Sequence, residues 1–146
     1  MPNNIDSVLP QNLIGGIQTP REIPTRTYKL DLENGHVIGI VDGLQAVKQA
    51  AAMALLSVRF KTLIFSPEYA SELDSVIGWN SQSSEELKKA QIDWAVRDAL
   101  STDSRITAVG AITTELVDDG AYITVEISTI YGDTSVEAHH VRGSNL

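Results

Sequence analysis

Chemistry in this chain would have to start from its three histidines and its acid pairs. His139-His140 is an adjacent pair with Glu137 close by, but neighbouring residues on a strand point to opposite faces. The two imidazoles cannot share an ion without a turn between them, and no metal site is expected. His36 would face Glu33 across a hairpin end, a surface pairing that contributes under about 1 kcal/mol. Each acid pair has a structural explanation: Asp118-Asp119 belongs to a tight turn, Glu85-Glu86 to a helix first turn, and Asp31 with Glu33 to a strand. There is no Gly-x-Ser-x-Gly elbow, Walker loop, dinucleotide fingerprint or His-Glu-x-x-His motif, and Gly39-Ile-Val-Asp-Gly43 is too sparse to cradle a phosphate. Without cysteine, disulfides, thiolate ligands and Cys nucleophiles are also excluded. No catalytic residue, metal or cofactor is assigned, and the expectation is a non-enzyme.

Residues without reactive partners must serve the fold or its contacts, so the elements come next. The chain has 146 residues, enough for one domain with its own core, and carries 11 Lys+Arg against 19 Asp+Glu. The resulting charge of −8 argues against nucleic acid and anionic membrane as partners, because both are themselves negative. No apolar run approaches the roughly 20 residues of a membrane helix, and the amino terminus does not resemble a signal peptide.

Asn34-Gly35 between apolar runs predicts a two-residue type I′ hairpin, with Leu32 opposite Val37, Leu30 opposite Gly39 and Tyr28 opposite Val41 on a packing face. Asp42, with Gln45 three residues on, reads as a capping box opening a helix in which Gln45, Lys48 and Gln49 form a narrow polar stripe. A short strand over Lys61 to Phe65 follows. Ser66-Pro67-Glu68 then predicts a helix running to about Ile77, stopped by Gly78. Ser83-Ser84-Glu85-Glu86 opens another helix to about Leu100, with Leu87, Ala90 and Trp94 on one side and Ile92, Ala95, Val96 and Ala99 on another. Two apolar sides predict contacts on both, with Trp94 in or near the core. From Ile106 the pattern alternates, turns at Asp118-Asp119-Gly120 and returns as Tyr122 to Ile130. The predicted class is α+β: a mostly antiparallel sheet with N-terminal and C-terminal hairpins, packed by about three helices. Residues 1–27, which hold Pro2, Pro10, Pro20 and Pro24, read as an extended arm ordered against its own domain or a neighbour's. Residues 28–132 form the domain, and 133–146 a polar tail, partly disordered or holding a short edge strand.

The run Tyr28-Lys-Leu-Asp31, Asn34-Gly35, Asp42-Gly43-Leu-Gln-Ala-Val-Lys-Gln49, Arg59-Phe60, Tyr69-x-x-Glu72-Leu73, Ile77-Gly78 and Thr129-Ile-Tyr131-Gly132 resembles the baseplate wedge and sheath-initiator proteins of contractile phage tails, in their XkdS-like branch. The family signature has an acid where this chain has Val58 and tends to have glycine where it has Ala70. The resemblance implies a structural protein made in the bacterial cytoplasm and assembled into the baseplate of a phage tail or phage-tail-like bacteriocin (tailocin). There it would join the wedge to the first sheath ring and start sheath assembly. Implied partners are tail sheath subunits and other wedge proteins, with tube or hub proteins as further neighbours. The alternatives are a cell-wall-degrading tail enzyme and a small acidic adaptor of the same fold. Interface candidates are Arg59, Tyr69, Glu72 and Trp79, together with Tyr122, Thr124, Glu126 and Ser128 on a strand expected to offer an open edge to a visiting strand.

Overall fold

The computed structural model describes residues 24–57, 69–78, 83–118 and 120–141. The expected strand at 61–65, the helix start at 66–68, Arg59, Trp79 and most of the arm lie outside them. The described elements run β1 (Thr27–Asp31), β2 (His36–Val41), α1 (Gly43–Leu56), α2 (Leu73–Gly78), α3 (Glu85–Ser101), β3 (Ile106–Val117), β4 (Gly120–Thr129) and β5 (Gly132–Val141). Two antiparallel sheets result, a β1-β2 ribbon and a three-stranded β3-β4-β5 sheet, which with the helices make an α+β fold.

The core follows from the alternation in β4. Ala121, Ile123, Val125 and Ile127 point inward and meet Val136 and Ala138 of β5, Ala51 and Leu55 of α1, Leu73 of α2, and Ile92, Ala95, Val96, Ala99 and Leu100 of α3. α1 packs over β5 and α3 over β3, so the helices cover one face of the sheet. Burying a Leu or Ile in this way contributes about 1.5–3 kcal/mol, which makes that face the main source of stability.

Of the two alternatives for the tail, the edge strand is what residues 132–141 form, ten residues long with Val136, Ala138 and His140 buried. The small residues Ala138 and Ser135 give its alternation little hydrophobic weight, which leaves the sequence reading open between strand and disorder. As a result β4 is the central strand, hydrogen-bonded to β3 on one side and β5 on the other. It therefore has no open edge, which corrects the expectation that Tyr122 to Ile130 borders the sheet.

The second helix is also shorter than predicted, beginning at Leu73. Residues before it end the first helix instead: the Ser71 hydroxyl donates to the Leu55 carbonyl at 2.8 Å, and the Ser71 amide donates to the Ser57 carbonyl at 3.1 Å. Satisfying those carbonyls holds 69–72 out of helix, with Ala70 at φ 75°. The other helix starts follow the sequence. Asp42 caps α1, its carboxylate accepting from the Gly43 amide at 2.7 Å, and Ser84 caps α3, accepting from the Leu87 amide at 3.3 Å.

Candidate interaction surface

The β1-β2 ribbon is built differently from its sequence reading. The Asp31 carboxylate accepts from the Glu33 amide at 3.0 Å, the Asn34 amide at 3.0 Å and the Asn34 side chain at 2.8 Å, and the Gly35 amide reaches the Asp31 carbonyl at 2.8 Å. Those bonds, from the Asn34 side chain first, hold the Asp31 carboxyl below its ordinary value. Tied in this way, residues 32–35 form a four-residue loop in which Gly35 takes positive φ and Asn34 does not, so a type I′ turn is not made. The register moves with the loop: Leu30 faces Val37, Lys29 faces Gly39 and Tyr28 faces Ile40.

Packing does not follow either. Tyr28, Val37, Ile38 and Ile40 are 66%, 56%, 51% and 57% exposed. Leu30 and Val41 are half-buried, but the other apolar side chains of the ribbon stay exposed on both faces among the described residues.

Its two edges are unequal. Gln49 of α1 accepts from the Leu30 amide through Oε1 at 2.8 Å and donates through Nε2 to the Tyr28 carbonyl at 2.8 Å. One side chain thus fills two outward backbone groups of β1, the Leu30 amide and the Tyr28 carbonyl, in place of a strand. Tyr28 and Leu30 face away from β2, so their partners Ile40 and Val37 turn their backbone groups away from β1 as well. Among the described residues no strand pairs with that outer edge of β2. Sequence reasoning missed both Gln49 and this edge. A usable signal existed: Val37-Ile38-Gly-Ile40-Val41 is apolar on both faces, a pattern that requires cover on both.

The sequence-predicted candidates sit elsewhere. Tyr122, Thr124 and Glu126 are exposed and Ser128 half-buried on the sheet face away from the helices. They are flanked by Glu115 and Thr113 of β3 and by His139, Glu137, Ser135 and Asp133 of β5. Tyr122 stacks on His139 with centroids 3.9 Å apart. His140 turns to the opposite face, where it is buried with Nε2 3.5 Å from Asp74 Oδ1. Tyr69 and Glu72 are half-buried ahead of α2. Trp94, placed in or near the core by its sequence pattern, is 58% exposed. Ile92, Ala95, Val96 and Ala99 take the core side of α3 and leave Leu87, Ala90 and Trp94 as a stripe facing solvent.

Among the described residues the strongest ion pair is a closed one. Arg105 and Asp103 neutralise each other through bonds of 2.9 and 2.6 Å. Burial pushes the Asp103 carboxyl up, but the Arg105 bonds and charge outweigh it and hold it below its usual range. No group of three or more His, Asp or Glu among the described residues is placed to hold a metal ion. No helix is long and apolar enough to cross a membrane.

Such a molecule is all surface and core. The profile of the contractile injection system sheath initiators matches residues 22–132. The chain belongs to the sheath-initiator family. The Phage-like element PBSX protein XkdS of Bacillus subtilis (strain 168) is 30% identical over 114 residues, covering 77% of this chain and 80% of that protein. Both the ribbon and the three-stranded sheet fall inside the sheath-initiator match, whereas residues 1–21 lie ahead of it. A sheath initiator is a structural protein of the phage-tail class, so the features to explain are surfaces and edges rather than a reaction.

Proposed function

We propose that this sheath initiator joins the baseplate wedge to the first sheath ring and starts sheath assembly by accepting a sheath strand on β2. One observation supports this above the others: β1 has two of its outward backbone groups taken by Gln49, while the neighbouring β2 edge, flanked by exposed Val37, Ile38 and Ile40, has no partner among the described residues. An unfilled edge beside exposed apolar side chains is the usual substrate of strand addition, where main-chain bonds supply affinity and alternate side chains supply register. A junction also needs a second surface. The exposed Leu87, Ala90 and Trp94 stripe of α3 offers one for the wedge, with Trp94 as the large anchor. The arm, residues 1–27, contacts neighbouring baseplate subunits.

The test is seeding. The chain is mixed with the tail sheath subunit produced from the same genome, and polymer growth is followed by light scattering. Ile40→Pro removes an outward amide without touching the β1 ladder, so it should abolish seeding while Thr113→Ala, on the far sheet, should not. Undiminished seeding by Ile40→Pro would remove β2 as the acceptor. The alternative of a wall-degrading enzyme is tested by a zymogram on cell wall, in which a cleared band would overturn the structural reading.

A further inference from the structure

Asn34-Gly35 is the only Asn-Gly pair in the chain, and it is a pair that can react with itself. The Gly35 nitrogen, losing its proton to hydroxide, attacks the carbonyl carbon of the Asn34 side chain, and Nδ2 leaves as ammonia. Water then opens the cyclic imide at either carbonyl, giving an aspartyl or an isoaspartyl residue. Glycine eases the approach, because no Cβ shields its nitrogen. Both residues are exposed, and no described atom lies within 4 Å of where a Gly35 Cβ would sit, so hydroxide and water have access.

In the folded chain one residue holds both reacting groups off that path. The Gly35 N–H, whose nitrogen is the nucleophile, donates to the Asp31 carbonyl at 2.8 Å. Asn34 Nδ2, the leaving group, donates to Asp31 Oδ2 at 2.8 Å, and the Asn34 backbone amide donates to Asp31 Oδ1 at 3.0 Å. Cyclisation needs the Gly35 nitrogen stripped of its proton and the Asn34 side chain turned back onto it, which breaks the first two of these bonds. The reaction therefore waits for the loop to open.

We propose that Asn34 is a site of spontaneous modification, and that Asp31 guards it by holding both the nucleophile and the leaving amide. The product cannot return to the starting loop. A carboxylate replaces the amide that donated to Asp31, so two negative groups face each other where a bond stood. The isoaspartyl form also carries the main chain through Cβ, which lengthens the 32–35 loop that joins β1 to β2. Each opening of the loop thus risks an irreversible loosening of the ribbon, whether or not β2 accepts a sheath strand.

The measurement is mass spectrometry of the tryptic peptide from Leu30 to Lys48, after the full-length chain has stood folded in mildly alkaline buffer, with isoaspartyl methyltransferase labelling to count the isoaspartyl share. Conversion in the folded chain should be at least about tenfold slower than in a synthetic peptide of residues 29–38, which has no loop that must open first. Asp31→Ala should speed it by about fivefold or more, and Asp31→Asn, which keeps one acceptor oxygen, should fall between the two. Urea midpoints check that both variants are folded. Equal rates in the folded chain and the peptide would overturn the guard even if neither variant folded, and so would a folded Asp31→Ala chain that reacts no faster. Absence of conversion in the peptide would overturn the site itself.

Discussion

Gln49 shows how much one side chain settles here. It sits on the polar stripe of α1, where the pattern alone suggests solvent, yet its amide carries both bonds that close the β1 edge. Gln49→Ala should cost about 1 kcal/mol by urea denaturation, since water can reach the released groups and replaces part of what is lost. It should also open a second strand edge and raise self-association in sedimentation experiments. Unchanged stability together with unchanged association would mean that the two bonds contribute nothing. Ala70 is the converse case. Its φ of 75° is left-handed, which costs a residue with a Cβ roughly 1 kcal/mol, while glycine gives back about half of that or more through its freer unfolded chain. Ala70→Gly should therefore stabilise by up to about 0.5 kcal/mol, and a fall in melting temperature would contradict it.

Among the elements, the two sheets respond differently to the same substitution. A proline at Thr124 falls on β4, which is bonded on both sides, so whichever ladder its missing amide belonged to is broken. Thr124→Pro should cost about 3 kcal/mol or more, seen as a large drop in urea midpoint, and says nothing about partner strands. The ribbon tolerates what the sheet does not, because β2 has a side facing away from its only described neighbour. Helix ends show a related division. Ser84 and Asp42 cap helices as their spacing indicates, because a cap is settled within a few residues. Ser66-Pro67-Glu68 carries an equally good local signal, yet the described chain at 69–72 is not helical. Ser71 is taken up by the carbonyls that end α1, at positions 14 and 16 residues away in sequence. A long-range bond outweighed a local preference there.

Across the whole molecule, stability and assembly draw on different residues. The core comes from one face of β3-β4-β5 and its helices, whereas the ribbon apolars are more than half exposed. Ile38→Asp with Ile40→Asp should shift folding stability by less than about 1 kcal/mol while eliminating sheath seeding. A large loss of stability would show that the ribbon is part of the core after all. Such a separation suits the proposed junction role, which asks a protein to remain folded alone and still present apolar surface and an unpaired edge.

The sequence by itself determined the α+β class, the order of the described elements from β1 to β4, two helix caps and the family, because alternation, capping chemistry and motif spacing are written within a few residues of each other. It also showed the absence of reactive motifs. Three features were decided only by the tertiary structure: which strand is central, which face of α3 is buried, and which ribbon edge is filled. Val136, Ala138 and His140 become core residues only when β5 pairs with β4, and Gln49 closes β1 only because α1 docks beside it. Burial and edge pairing are properties of neighbours brought together from distant parts of the chain, and the local pattern does not contain them.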